Sequence, residues 1–279
     1  MSREITPSSL SDYAACPRRY YYRRAQAPTE ETELERMTGA FRVGVAEWNG
    51  RNHEVAREIA TATYDRVPYG MDRTAWDVER ETVSRLLEGY FSRYEPHHLV
   101  RGPYFPTEPL RNPKTGACSQ VLLSSTIDGI LQLQDGRLAV LQYRVVNEDI
   151  SPESDYWLRT RFDSTVGLIL HIARSTGIMT STVLLDVTRL PIIQRETGES
   201  AEDYGRRLAA DISEQPDQYY ERCEVPRSAE ELAEYHVELW RQACQIREAH
   251  RRGWWWRNVD RWTCGDCAYS PICLRSHGS

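Results

Sequence analysis

Cysteine placement constrains this chain more than any other feature. Of seven cysteines in 279 residues, Cys264, Cys267 and Cys273 crowd into the last sixteen positions. Cys264-Gly265-Asp266-Cys267 is a C-x2-C pair, and Cys273 follows after five further residues. Thiolates at that spacing can wrap one metal centre from a loop. A fourth donor is then required, and Cys16, just before Pro17 near the other end, is the leading candidate. A centre built from all four would clasp the two ends of the chain together. The spacing alone does not separate zinc from an iron–sulfur cluster. Buried free thiols are a poor account of three cysteines in so tight a loop. The odd cysteine count argues against a disulfide framework.

A chain of this length sits near the upper size for a single hydrophobic core. One domain over 1–279 is expected, with a helical part (1–95), a core of sheet and helix (96–190), and C-terminal helices with the cysteine cluster (191–279). With 40% hydrophobic and 10% aromatic residues, a packed core is feasible. No apolar run reaches spanning length, and the opening Met1-Ser2-Arg3-Glu4 lacks the apolar stretch of an export signal. A cytoplasmic protein with no membrane partner is therefore expected. The formal net charge of -6 gives no global pull toward nucleic acid, so any such footprint must be a local basic patch. Lys114 is the only lysine, which leaves almost none for chemistry.

Along the chain, Ser8 or Ser9 can cap a short helix running toward Arg24, interrupted at Pro17. Glu30 to Ala62 reads as mostly helical despite Gly39, Gly44 and Gly50. Thr74 to Tyr94 is a firmer helix, with Val78, Thr82, Leu86, Leu87, Tyr90 and Phe91 at helical spacing. Val121 to Leu133 and Arg137 to Val146 read as strands joined across Gln134-Asp135-Gly136, a hairpin signal. Tyr104 to Leu110 offers a further strand. Ser154 to Thr176 returns to helix until Gly177, and Thr180 to Thr188 is a strand. Ser200 to Ile212 and Ser228 to Arg252 are amphipathic helices, and Trp254 to Ser279 reads as irregular. This order predicts an α/β fold with helices around a central mixed sheet.

Both ends carry motifs that resemble one family. The run from Ile5 to Tyr20, ending Cys16-Pro17-Arg18-Arg19-Tyr20, looks like the opening of RecB-type nucleases that carry an iron–sulfur cluster. The ending, Cys264-Gly265-Asp266-Cys267-Ala268-Tyr269-Ser270-Pro271-Ile272-Cys273, resembles theirs too. These belong to the PD-(D/E)XK superfamily and include AddB-type helicase–nuclease domains and CRISPR-adaptation exonucleases. The resemblance implies a restriction-endonuclease-like core and a [4Fe–4S] cluster on Cys16, Cys264, Cys267 and Cys273, with zinc as the alternative.

The family's active site lies on a hairpin, with an Asp on one strand and a carboxylate and a lysine two residues apart on the next. Residues i and i+2 of a strand face the same way, so these groups converge. Two carboxylates hold Mg2+ or Mn2+, which activates water, while the lysine faces the phosphate. Here Ser125-Thr126-Ile127-Asp128-Gly129-Ile130 resembles the first strand and keeps Asp128. On the second, Gln142 stands at the carboxylate position and Arg144 at the lysine position. An arginine keeps the charge but not the point-charge geometry. A glutamine removes a negative group that the metal requires. Val43 follows Gly39-Ala40-Phe41-Arg42 where the family has a metal-binding His, and Thr165 to Ile169 lacks the family's DNA-contacting Gln-x3-Tyr pair. Glu108 is a candidate retained acid; Glu148 or Asp149 could substitute only if the strand bulged.

Arg18-Arg19-Tyr20-Tyr21-Tyr22-Arg23-Arg24 mixes guanidinium groups, which suit phosphate, with rings that can stack on bases or pack around a cluster. Arg18, Arg19, Arg23, Arg24, Arg159 and Arg161 are candidate nucleic-acid contacts, against the alternative of solvated surface arginines. Three functions are consistent with these residues. The leading one is a catalytically silent nuclease-fold protein that binds DNA, single-stranded or with ends, or acts as scaffold for an active nuclease or helicase partner. The others are a divalent-metal DNA exonuclease with an atypical site, and an interaction module whose cluster only supports the fold.

Overall fold

The computed structural model describes residues 4–25, 31–265 and 267–275. Met1, Ser2, Arg3, Glu30, Asp266 and the last four residues, which entered the expectations above, lie outside them. The chain opens with β1 (Glu4–Ile5), α1 (Pro7–Ala15), α2 (Pro17–Ala25), α3 (Glu33–Trp48), α4 (His53–Thr61) and α5 (Arg73–Arg93). Strands β2 (Leu99–Arg101), β3 (Thr107–Arg111), β4 (Cys118–Ser124), β5 (Gly129–Gln132) and β6 (Leu138–Val146) follow. Then come α6 (Asp155–Thr160), α7 (Ser164–Ser175), β7 (Thr182–Arg189), α8 (Ala201–Glu214), β8 (Tyr220–Pro226) and α9 (Ala229–Arg252). Short helices α10 (Arg261–Gly265) and α11 (Ser270–Arg275) end it.

The fold is a mixed α/β arrangement, but with two sheets rather than one. Strands β2-β5-β6-β7-β8 form the larger sheet, with β6 and β7 parallel and the other neighbours antiparallel. Strands β1-β4-β3 form a smaller one. The expected single strand from Val121 to Leu133 is therefore two strands that belong to different sheets. The chain changes sheet between Ser124 and Gly129, where Ile127 makes an isolated bridge to Tyr104. Gly129 permits the tight seam that follows: a Cβ there would meet Leu99 Cδ2 at 2.8 Å. Further on, Gly136 turns the β5–β6 hairpin at φ +86, a conformation that glycine adopts without steric cost.

Other elements also differ from expectation. The helix expected over Ser154 to Thr176 breaks at residues 161–163, because Asp163 caps α7 through the Thr165 N–H. Strand β8 was not anticipated, and it pairs with β7 from Thr182↔Pro226 to Thr188↔Tyr220. Thr6, rather than Ser8 or Ser9, caps α1 in a reciprocal capping box with Ser9. Helix α5 is as expected, and its buried stripe includes Glu79, which pairs with Arg36 at 2.5 Å.

Side-chain alternation on β6 decides what reaches the site. Ala139, Leu141, Tyr143 and Val145 pack into one core with α3, α5 and α8, while Val140 packs into another with α7 and β7. Gln142 and Arg144 share the second face. Beside Tyr143 in the parallel ladder lies Asp186, 1% exposed. Its Oδ2 accepts Tyr90 Oη at 2.5 Å, Arg222 Nε at 2.8 Å and His97 Nε2 at 3.0 Å. A buried carboxylate is tolerated only when paired and hydrogen-bonded in this way. The network ties α5 and β8 to the sheet behind β6.

Candidate functional site

Asp128 precedes Gly129, whose ladder partner is Leu141, and it is 6% exposed. Its Oδ2 accepts the Tyr143 N–H at 2.9 Å. Its Oδ1 accepts Nε and Nη2 of Arg42, from α3, at 3.1 and 2.5 Å. Burial pushes the Asp128 carboxyl above the usual range, even though the Arg42 guanidinium and the Tyr143 N–H both pull it down.

Gln142 and Arg144 do meet, as their i, i+2 spacing requires, but they bond to each other. Gln142 Oε1 accepts Arg144 Nε at 3.2 Å and Nη2 at 3.0 Å. Arg144 Nη1 donates to Asp163 Oδ2 at 2.6 Å. Neither Asp163 nor Arg42 was read as a site residue from the sequence. The first had a signal: a buried arginine needs a carboxylate, and Asp163 stands at a helix start. Arg42 had none, because its partner lies 86 residues away.

The remaining acidic candidates do not join this group. Thr107 lines the groove over the site, and strand alternation turns its neighbour Glu108 to the opposite face of β3. β6 pairs with β7 without a bulge from Val140 to Val146, so Glu148 and Asp149 are not brought inward. Instead Glu148 pairs with Arg159, and Asp149 with Arg189 at 3.8 Å. The donor set is thus one carboxylate already carrying a guanidinium and a second committed to Arg144. Mg2+ and Mn2+ favour several oxygen donors including free carboxylates, and the residues present do not fit them. A groove of about 440 Å3 opens here, lined by Arg42, Gln142, Thr165, Thr107, Ser124 and Thr126. Beside Arg42, hydroxyls and an amide make up most of this polar lining, and Glu4 on β1 is its one carboxylate among the described lining residues.

The four cysteines of the terminal motifs line a single small cavity, together with Tyr22, Tyr269 and Val259 among others. Cys16 Sγ accepts the Asn258 N–H at 3.4 Å, and Cys273 Sγ accepts Arg257 Nε at 3.2 Å. The ends are joined directly as well: Arg18 N–H donates to Trp256 O at 3.1 Å and Asn258 Nδ2 to Ala15 O at 2.9 Å. Among the described residues, no three His, Cys, Asp or Glu side chains are grouped as ligands of one metal ion. Four sulfurs nonetheless share one cavity, and two of them accept N–H hydrogen bonds.

Aromatic residues pack around this cavity. Tyr22 stacks on Tyr269, and Tyr21 on Trp255, with ring centroids 5.8 and 5.4 Å apart. Arg19 and Arg23 both pair with buried Asp12, at 2.8 and 3.0 Å. Arg18 lies over the Tyr21 and Tyr22 rings and Arg24 over Tyr20. Arg159 is engaged by Glu148, whereas Arg161 is exposed. Of the six arginines, Arg19, Arg23 and Arg159 are thus held by carboxylates.

The chain resembles a candidate exonuclease from Eubacterium rectale whose crystal structure is known: 10% identity, 99% of this chain and 89% of that one covered, TM-score 0.52. The crystal structure of SSO0001 aligns over 100% of this chain and 89% of that one, at 12% identity and TM-score 0.40. No curated protein matches. No described helix is long and apolar enough to cross a membrane. The family model described as the PD-(D/E)XK nuclease superfamily matches residues 4–274, and the chain belongs to that superfamily.

Proposed function

We propose that this protein is a RecB-type member of the superfamily that holds DNA, or an active nuclease or helicase partner, without cutting DNA itself. The observation that carries the reading is the Arg42–Asp128 pair. An internal cation sits on the one carboxylate that the family motif keeps, so the charge a divalent ion would neutralise is already neutralised. Gln142 and Arg144 lock against each other and Asp163, which stabilises the hairpin but offers no second free carboxylate. The hydroxyl-lined groove can still donate hydrogen bonds to phosphate oxygens, and contacts of that kind position a nucleic acid without chemistry.

The proposed cofactor is a [4Fe–4S] cluster on Cys16, Cys264, Cys267 and Cys273. The common cavity supports this, as do the motifs at both ends. A zinc ion needs its sulfurs about 2.3 Å from one point; a cluster spreads them over several irons. Such a cluster would fasten the two chain ends, which already share a backbone hydrogen bond.

Fluorescence anisotropy with labelled single-stranded, blunt and overhanging oligonucleotides, without divalent metal, tests the DNA-holding role. Binding should weaken linearly in log salt, with a slope that counts phosphate contacts. Absence of salt-dependent binding to every DNA form, together with no nuclease or helicase subunit co-purifying from the native source, would refute the proposal.

A further inference from the structure

A further groove belongs to neither site described above. It has a volume of about 510 Å3 and runs between β1 and β4 on one side and α9 on the other, with α2 at one end. Its floor is apolar: Ile5, Val121, Ala243 and Ile246. Its rim is cationic, with Arg24, Arg247 and Arg251, and Glu4 is the one carboxylate among the described lining residues. Ala243, Ile246, Arg247, His250 and Arg251 fall at i, i+3, i+4, i+7 and i+8, so a single stripe of α9 builds one wall.

Cations near a helix C-terminus have a structural reason, since they offset the helix dipole. Arg251 fits that reason and also pairs with Glu248 at 2.7 Å. Arg24, in the last turn of α2, fits it as well, whereas Arg247, more than a turn from the end of α9, does not. Arg24 Nη1 donates to Tyr20 Oη at 2.7 Å and to Glu4 O at 3.0 Å, but neither arginine pairs with a carboxylate among the described residues. Tyr20 Oη in turn contacts His250 Nε2 at 3.2 Å, and His250 Nδ1 is buried with no partner. Burial and the nearby Arg24 push His250 below its ordinary value. At neutral pH it is therefore an uncharged ring with one hydrogen-bonding atom to spare.

We propose that this groove binds a small amphipathic anion, a carboxylate or phosphate monoester carrying an apolar tail. The tail would lie on Ile5, Val121, Ala243 and Ile246, and the head would meet Arg24 and Arg247 in charge-assisted hydrogen bonds. Cavities of this size, apolar with a few convergent polar groups, are the usual form of small-ligand sites. The inference does not depend on any role in DNA binding.

Calorimetry on the full chain, with octanoate, octyl phosphate, octanol and inorganic phosphate as probes, tests it. Octanoate, octyl phosphate or both should bind at one site, at least roughly tenfold more tightly than octanol or inorganic phosphate. The comparison of the two tailed anions identifies the head group. Arg24→Gln with Arg247→Gln changes exposed side chains only, so folding should survive; circular dichroism checks this. That variant should weaken binding of the tailed anion by roughly tenfold or more. Equal affinity for octanol, no binding of either tailed anion, binding unchanged in the variant, or displacement of the ligand by a short oligonucleotide would each overturn the proposal.

Discussion

Replacing Arg42 by methionine keeps the hydrophobic stem and deletes the guanidinium. Asp128 would then be left nearly buried with the Tyr143 N–H as its remaining donor. Breaking a fully buried ion pair costs about 3–5 kcal/mol. Here the Asp128 side chain is 8% exposed and that of Arg42 29%, so screening at the arginine reduces the expected loss to about 2 kcal/mol. The loss should also depend on pH. Burial already raises the Asp128 pKa, and removing Arg42 raises it further. A carboxyl whose folded pKa exceeds its unfolded one binds extra protons in the native state. Stability therefore falls as pH rises from the unfolded value through the folded one. Urea denaturation of wild type, R42M and R42M/D128N, at about pH 5 and about pH 8, reads this directly. R42M should lose more at the higher pH, and D128N in the same background should recover most of the loss. If R42M stays within about 0.5 kcal/mol of wild type at both pH values, the pair is not the internal cation site inferred here.

Three further outcomes are expected. Q142E/R144K, which restores the family's motif types on β6, should not cleave DNA while Arg42 remains on Asp128; cleavage by this double variant in a plasmid assay would show that the arginine does not block the site. Burial, helped by His236 and Arg174, pushes His171 on α7 down to about 4. It stays neutral in the fold while the unfolded chain takes up a proton, so stability should fall by at most about 3 kcal/mol between about pH 6.5 and pH 4. H171L should flatten that slope in denaturant titrations, and an unchanged slope would contradict the assignment. Protein purified without oxygen should carry about four irons per chain with broad visible absorption, lost in C264S along with thermal stability; stoichiometric zinc and no iron would replace the cluster with a single ion.

The parts of the fold visible in the sequence were those written in local chemistry. The Gln134-Asp135-Gly136 turn, the stripe on α5, and the helix starts at Ser200 and Ser228 all use short-range rules. The sheet switch after Ser124 was hidden because the apolar pattern continues through Ile127 and Ile130. Strand β8 was hidden because Glu221, Arg222 and Glu224 dilute its signal at a sheet edge, where only pairing with β7 fixes it. At the candidate site, Asp128, Gln142 and Arg144 were singled out by the hairpin's resemblance to the family motif. What occupies them was not, because Arg42 reaches Asp128 only once α3 packs across the sheet. The same limit applies to Arg19 and Arg23, which look like a phosphate patch in sequence but hold Asp12 in the fold.

The most direct test of the central claim is hydrolysis itself. Purified wild-type chain and D128A should be incubated with linear single- and double-stranded DNA in Mg2+ and then in Mn2+, and released nucleotides measured. The two proteins should release the same background amount in every condition. Release by the wild type that D128A abolishes would mean that Asp128 binds a working metal despite Arg42, and the protein would then be an active nuclease.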